Sequence, residues 1–247
     1  MKFCVSLTTI PPRFDNLEKT LISLQSQELK PDEIFLNIPN VYKRFKEKIA
    51  DEEIERLKKK FKIKVNRCLD YGPATKLIGS MNYLSNYEYV IILDDDHYYH
   101  KKMFDIFQKA YLEKKSNYSF YVQKIFDLSM GQGADGILIS TDSLDNIIEY
   151  YEKYISKNKN LFLNDDLAIS IYLDFIKNKK ILDLSDRFKK ETNKNLVYDI
   201  HSSNNSLKNL MTKKFLNRRK IAKIEIIKFK INNYLKRAIQ SLTTSSK

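Results

Sequence analysis

Residues 89–93 read Tyr-Val-Ile-Ile-Leu and run straight into three aspartates, Asp94, Asp95 and Asp96. A short apolar run, β-branched at its centre and bounded by polar residues, suits a strand covered on both faces, as in the middle of a parallel sheet. Ligands of open parallel sheets bind beyond the carboxyl ends of the strands, so the aspartates fall where a functional cluster would stand. Three adjacent carboxylates repel one another unless a divalent cation or a hydrogen-bonding ligand offsets the cost. A solvated acidic turn is the plain alternative.

The flanking sequence supplies the rest of such a sheet. Lys2 to Leu7 is a short β-prone run, Asn16 to Gln27 spaces Leu17, Leu21 and Leu24 at helical intervals, and Glu33 to Ile38 reads as a second strand closed by Pro39. That is a β-α-β unit, the seed of a parallel sheet. Beyond it the pattern predicts a helix over 50–60, a strand over 62–67 and a helix from Ala74 to Leu84. After the aspartates it predicts a helix over 101–114, a strand over 118–123, and a strand from Ile137 to Ser140 entered through the one glycine cluster, residues 131–136. Helices follow over 143–156 and 165–177, the second opening on Asp165 and Asp166 at the positive end of its dipole. No internal repeat is present.

Charge divides the chain more sharply than pattern does. Of the formal +13 on 247 residues, +10 lies between Lys208 and Arg237, where eleven basic residues face one acid, Glu225. The body is close to neutral, so the basic signal belongs to a tail, and a division into 1–207 and 208–247 follows. Read as a helix, the tail puts Ile224, Ile227, Ile231, Leu235, Ala238 and Leu242 on one face with lysines elsewhere, although Ile226 and Phe229 fall off that stripe. The pattern suits an amphipathic helix on an anionic membrane surface. A helix packed on the body, a partner-binding helix and a disordered tail are alternatives. No recognised DNA or RNA module accompanies the charge, so no specific nucleic acid is expected. Cys4 and Cys68 form no metal-binding pattern, no run of 18 apolar residues occurs, and Met1 to Pro11 lacks a leader pattern. These features predict a cytoplasmic protein, peripheral on the cytoplasmic face of a membrane if the tail docks there.

The segment Val90-Ile91-Ile92-Leu93-Asp94-Asp95-Asp96 resembles the DXD motif of glycosyltransferases with the GT-A fold, near the large inverting family 2 and its relatives. Three further segments extend the resemblance over residues 1 to about 205. Val5 to Arg13 is similar to the first strand and loop that cradle the nucleoside, Ser23 to Gln27 to the helix after it, and Asp70-Tyr71-Gly72-Pro73-Ala74-Thr75-Lys76-Leu77 to a segment near the donor diphosphate. The implied fold is α/β, Rossmann-like, with a mostly parallel central sheet flanked by helices and a basic helical extension. The implied reaction moves a sugar from a nucleotide donor, a UDP-sugar first among them, to a hydroxyl of a glycan or lipid-linked acceptor.

The resemblance also assigns residues. Asp94 faces the donor ribose and Asp96 ligates a Mn²⁺ or Mg²⁺ ion, with Asp95 beside them and Thr8, Thr9 and Arg13 in the donor loop. Lys76 is placed near the diphosphate, with a surface lysine as its plain alternative. Asn37 stands where many members carry a base-reading aspartate. Asp166 is the expected catalytic base, with Asp165 the alternate; both read equally as helix-start acids. Asp135 and Gly136 lie in the loop expected against the donor sugar. His201 is the expected histidine ligand of the metal, ahead of His97 and His100, which the end of the strand is expected to point toward the following loop. A nucleotidyltransferase, or a non-catalytic adaptor with a membrane- or RNA-binding tail, remains open as an alternative.

Overall fold

The apolar run becomes the strand β4, Tyr89–Ile92, with every residue buried, and Leu93 beyond it is buried too. In the computed structural model, which describes residues 1–192, 198–199, 217 and 219–234, it is the middle strand of a larger sheet. The remaining strands are β1 Phe3–Thr8, β2 Glu33–Pro39, β3 Lys64–Cys68, β5 His97–Tyr98, β6 Asn117–Ser119, β7 Val122–Ile125, β8 Leu128–Gly131, β9 Ile137–Ser140, β10 Ile181–Asp183 and β11 Tyr198–Asp199. The helices are α1 Phe14–Gln25, α2 Asp51–Lys60, α3 Thr75–Ile78, α4 Met81–Leu84, α5 Met103–Glu113, α6 Ile147–Tyr150, α7 Lys159–Phe162, α8 Asp165–Ile171 and α9 Ser185–Thr192, with a further helix over 219–234.

Seven strands pair in the order β10-β6-β9-β4-β1-β2-β3. β1 runs parallel to β2 and β4, β2 to β3 and β6 to β10, while β9 is antiparallel to both its neighbours. The register sets Ser6 opposite Ile92 and Thr8 opposite Asn37, so the carboxyl ends of β1, β2 and β4 reach one edge together. The loop Thr9–Arg13 and the aspartates after β4 therefore emerge side by side. Pro11 and Pro12 open the short 3-10 turn before α1, where their missing amide hydrogens cost nothing.

Several expected elements divide. The predicted strand over 118–123 is two pieces, β6 in the main sheet and β7 in a hairpin with β8. The predicted helix from Ala74 to Leu84 is α3 and α4 with Gly79 and Ser80 between them. A β-carbon on Gly79 would lie 2.8 Å from Asn37 Cβ, so the close approach of α3 to β2 needs glycine there. The predicted helix over 143–156 begins only at Ile147, because Asn146 adopts a left-handed backbone with φ 65° and separates it from the preceding 3-10 turn.

The chain divides into two compact units, Met1–Lys124 with Leu128–Ser202, and Ile125–Asp127 with Ser203–Lys247. In the second, the helix over 219–234 buries Ala222, Glu225, Ile226 and Phe229 and exposes Ile224, Ile227 and Ile231. Its buried face is the one to which Ile226 and Phe229 belong, opposite the isoleucine stripe. Leu235, Ala238 and Leu242, also placed on that stripe, lie outside the described residues.

Candidate active site

The loop after β4 is fixed by the loop after β1. Thr9 Oγ1 donates to Asp95 Oδ2 at 2.6 Å and Arg13 Nη1 to Asp95 Oδ1 at 2.9 Å. Thr20 Oγ1, on α1, donates to the Asp95 carbonyl at 2.8 Å. Asp95 is buried and both its carboxylate oxygens are engaged, so its place is that of an anchor between the two loops rather than a ligand-facing group. Arg13 also reaches Asp96 Oδ2 at 3.0 Å. The Tyr99 hydroxyl accepts from the Asp94 amide at 3.0 Å and donates to the Asp94 carbonyl at 3.1 Å, holding the backbone of the first aspartate in place. Thr8 Oγ1 donates to the Asn37 carbonyl, which occupies its hydroxyl hydrogen within the sheet.

Lys76 is the hub of the site. It is 3% exposed, and its ammonium pairs with Asp94 Oδ1 and, at 2.9 Å, with Asp165 Oδ2. Burial works against its charge, but Asp165, Asp94 and Asp166 outweigh that and hold its pKa well above the usual lysine value. The short helix that carries it is pinned from behind. Ser6 Oγ donates to the Lys76 carbonyl and exchanges a 2.8 Å hydrogen bond with Ser80 Oγ, whereas Asp70 Oδ1 accepts from the Gly72 amide at 2.7 Å. Gly72 sits at φ 65° with Phe162 where a β-carbon would go, a position other residues fill poorly.

Through Lys76 the second acidic pair joins the first. Asp165 and Asp166 form the first turn of α8, and Asp166 Oδ1 accepts from the Gly133 amide at 2.9 Å. Burial raises the Asp166 pKa, the Asp165 charge raises it further and Asp94 adds to it, while Lys76 and the Gly133 amide pull the other way. Gly133 is a contact that sequence reasoning missed. A β-carbon there would lie 2.9 Å from Asp94 Oδ1 and 3.2 Å from Asp166 Oδ1 and would collide with the Lys76 ammonium. The one glycine-rich stretch of the chain was the available signal.

Asp94, Asp96 and His97 each offer a ligand atom within 4.8 Å of the others. Carboxylates and an imidazole suit Mn²⁺, and the carboxylates alone suit Mg²⁺. Charge balance fits a divalent cation as well. Among the described residues Lys76 and Arg13 are the lysine and arginine that pair with this group of five aspartates, Asp94, Asp95, Asp96, Asp165 and Asp166, so the carboxylates outnumber them. Among the described residues the histidine at this cluster is His97, expected behind His201: its Nδ1 lies 2.7 Å from Asp96 Oδ1. The strand β5 that begins with His97 keeps the ring at the site instead of carrying it away. His201 lies outside the described residues.

Two expected donor contacts sit elsewhere. Asn37 is fully buried, and its side chain is saturated by Ser6 Oγ at 2.9 Å, Leu7 O at 3.3 Å, Asn66 Nδ2 at 3.2 Å and Ser80 Oγ at 2.9 Å. With no donor or acceptor left over, it stitches β2 to its neighbours and reads no base in this geometry. Gly136 has φ 79°, and a β-carbon there would meet Met103, Leu93 and Phe107, so glycine lets the chain pass close to α5. Asp135, beside it, stays partly exposed; burial pushes its carboxyl up to about 6, with Asp94 and Asp183 adding and His97 opposing.

No protein-family model and no curated protein matches the sequence. Solved structures do match. S. aureus TarS 1-349 is 18% identical, with a TM-score of 0.52 over 81% of this chain and 60% of that one. TarS 1-349 is also solved in complex with UDP-GlcNAc. The mannosyltransferase PcManGT from Pyrobaculum calidifontis, in complex with GDP-Man and Mn²⁺, is 11% identical, with a TM-score of 0.54 over 74% of this chain and 54% of that one. A cytidylyltransferase from Leptospira borgpetersenii serovar Hardjo-bovis is 12% identical, with a TM-score of 0.53 over 80% of each chain. The chain spans 60% of TarS 1-349 and 54% of PcManGT. At these identities the likeness speaks for the fold alone: a mostly parallel α/β sheet of the GT-A type, shared with TarS, the mannosyltransferase and the cytidylyltransferase.

Proposed function

We propose that this protein is a metal-dependent, inverting glycosyltransferase that moves a sugar from a nucleotide-sugar donor, a UDP-sugar, to a hydroxyl acceptor in glycan or glycolipid assembly. One observation carries the reading: carboxylates from distant parts of the chain, Asp94 after β4 and Asp165 with Asp166 on α8, converge on the buried ammonium of Lys76, with Asp96 and His97 beside Asp94. The glycosyltransferases of the same fold support it.

Asp94, Asp96 and His97 would hold the cation. Bound there, Mn²⁺ or Mg²⁺ supplies Lewis-acid stabilisation of the diphosphate charge that grows as the sugar departs. Asp166 takes the proton of the acceptor hydroxyl. The acceptor oxygen forms its bond to the anomeric carbon from the face opposite the leaving group, and the bond from that carbon to the β-phosphate oxygen breaks with its electron pair leaving on the nucleoside diphosphate. A base is best tuned when its pKa is drawn toward working pH, and the raised pKa of Asp166 has that sense. The Gly133 amide fixes one Asp166 oxygen and leaves the other for the acceptor. Lys76 keeps Asp165 and Asp94 in register, and Asp95 with Thr9 and Arg13 braces the donor loop.

The test is a panel of nucleotide sugars and nucleoside triphosphates screened for thermal stabilisation with and without Mn²⁺. A donor at about 100 times its Kd adds about 2.7 kcal/mol to stability. The expected result is stabilisation by a UDP-sugar only when the cation is present, lost in Asp96→Asn, with UDP as the released product. The cytidylyltransferase of the same fold favours a second reading, transfer of a nucleotidyl group. Stabilisation by CTP instead, with pyrophosphate released, would establish that reading and overturn the first.

A further inference from the structure

We propose that the outward face of the helix over 219–234 is a docking surface for an anionic lipid bilayer, on which the helix lies in the membrane plane. Successive residues turn by about 100° along a helix. That spacing sets Ile224, Ile227, Ile231 and Tyr234 in one stripe opposite Ala222, Ile226 and Phe229. The second set is buried, whereas the first is 42%, 47%, 52% and 74% exposed. Single exposed apolar residues need no explanation, but four contiguous ones on a single helical face mark a surface that something covers.

Charge identifies the occupant. Lys220 falls on the line of the stripe one turn before Ile224, Lys228 flanks it on one side and Lys223 and Lys230 on the other, and every exposed charged side chain described on the helix itself is basic. The one acid of the segment, Glu225, is buried and lies 3.1 Å from Lys228 Nζ. Lys230 Nζ meets both Asp127 oxygens at 2.6 and 2.7 Å, and Lys223 Nζ stands 5.6 Å from the centre of the Phe126 ring. These contacts brace two long side chains along the rim. An apolar stripe framed by cations matches the boundary of an anionic leaflet, where isoleucines enter the acyl region and lysines reach the headgroups. A nucleic acid would use the cations and leave the isoleucines in water. No helix among the described residues is long and apolar enough to cross a membrane, so this surface lies on the bilayer.

Co-sedimentation of the full chain with vesicles tests this, and it needs neither donor nor catalysis. The protein is expected to bind vesicles of phosphatidylcholine mixed with phosphatidylglycerol, to leave pure phosphatidylcholine unbound, and to lose binding as salt screens the cations. Ile227→Asp with Ile231→Asp is expected to weaken partition by at least tenfold at an unchanged melting temperature, since both sites are exposed. Lys220→Gln is expected to weaken it about fivefold, the equivalent of about 1 kcal/mol for one basic residue at the surface. Failure to bind the anionic vesicles overturns the proposal. So does undiminished vesicle binding of the double isoleucine variant, which would mark a general polyanion surface.

Discussion

Lys76 and Lys220 are the same side chain in opposite surroundings. Lys76 is buried among Asp94, Asp165 and Asp166, and its charge is required by what surrounds it. Lys220 stands exposed on a helix whose neighbourhood is almost wholly basic, and nothing within the helix demands its charge. One lysine belongs to a closed network in which each charge answers another; the other belongs to an open display that waits for an external counter-charge. The formal +13 of the chain records the display and says nothing of the network, because the network is net negative.

The largest expected effect lies inside the network. Asp166→Asn should lower kcat by about 10² to 10⁴, the range for loss of a general base, and leave the melting temperature nearly unchanged, since one charge leaves a crowded set of carboxylates. The natural enzyme needs Asp166 ionised, so its rate should fall as pH falls through the raised pKa, and the residual rate of the variant should lose that dependence. A variant with normal kcat and an unaltered pH profile would move the base to Asp165.

Next in size is the hub itself. Lys76→Met leaves buried carboxylates without their cation, and breaking such a pair costs about 3 to 5 kcal/mol. At about 2 to 4 °C per kcal/mol for a chain of this size, the melting temperature should drop by roughly 10 °C. Adding Asp165→Asn should recover part of the loss, because it removes a charge that Lys76 no longer answers. If the single variant melts like the natural protein, the cluster is solvated and the contrast with Lys220 fails.

Much of this arrangement is legible in the amino-acid sequence. The apolar runs at β1, β2 and β4 announce buried parallel strands, and residues just beyond a central strand have few places to go but the ligand edge. What escaped was decided by tertiary partners. Asn37 looks free to read a base until Asn66 and Ser80 arrive from elsewhere and saturate it. Asp95 cannot be told from its neighbours until Thr9 and Arg13 take both its oxygens. The antiparallel direction of β9 is invisible in Ile137 to Ser140, since a short apolar run has no polarity to read. The placing of His97 at Asp96 depends on a two-residue strand too short to read from the residues after β4.

Asp135 measures how far the field of the network reaches. Its carboxyl is pushed up to about 6 from 3.8, by burial first and by Asp94 and Asp183 after it, so the fold favours its protonated form. The favourable contribution is present below about pH 4 and is lost as pH rises through 6. Asp135→Asn removes the titration, so the variant should be more stable than the natural chain at pH 8. A gain of about 1 to 2 kcal/mol, allowing for solvent screening of a partly exposed group, should shrink as pH falls and vanish near pH 4. Melting curves at the two ends of that range decide it, and a gain that persists at pH 4 would show an effect of shape rather than charge.

The smallest expected effect is the one that closes the contrast. Lys220→Gln removes the same charge as Lys76→Met, but from an exposed position in a segment that repels itself, so stability should change by no more than about 0.5 kcal/mol in either direction. Raising the salt concentration should only shrink that small change, because what salt screens there is the repulsion between neighbouring lysines, and no ion pair of Lys220 occurs among the described residues. The same substitution nevertheless weakens vesicle binding about fivefold, since only there does the charge meet an opposite one. A stability loss approaching that of Lys76→Met would mean that Lys220 answers a buried acid of its own, and the tail would then be a second network in place of a display.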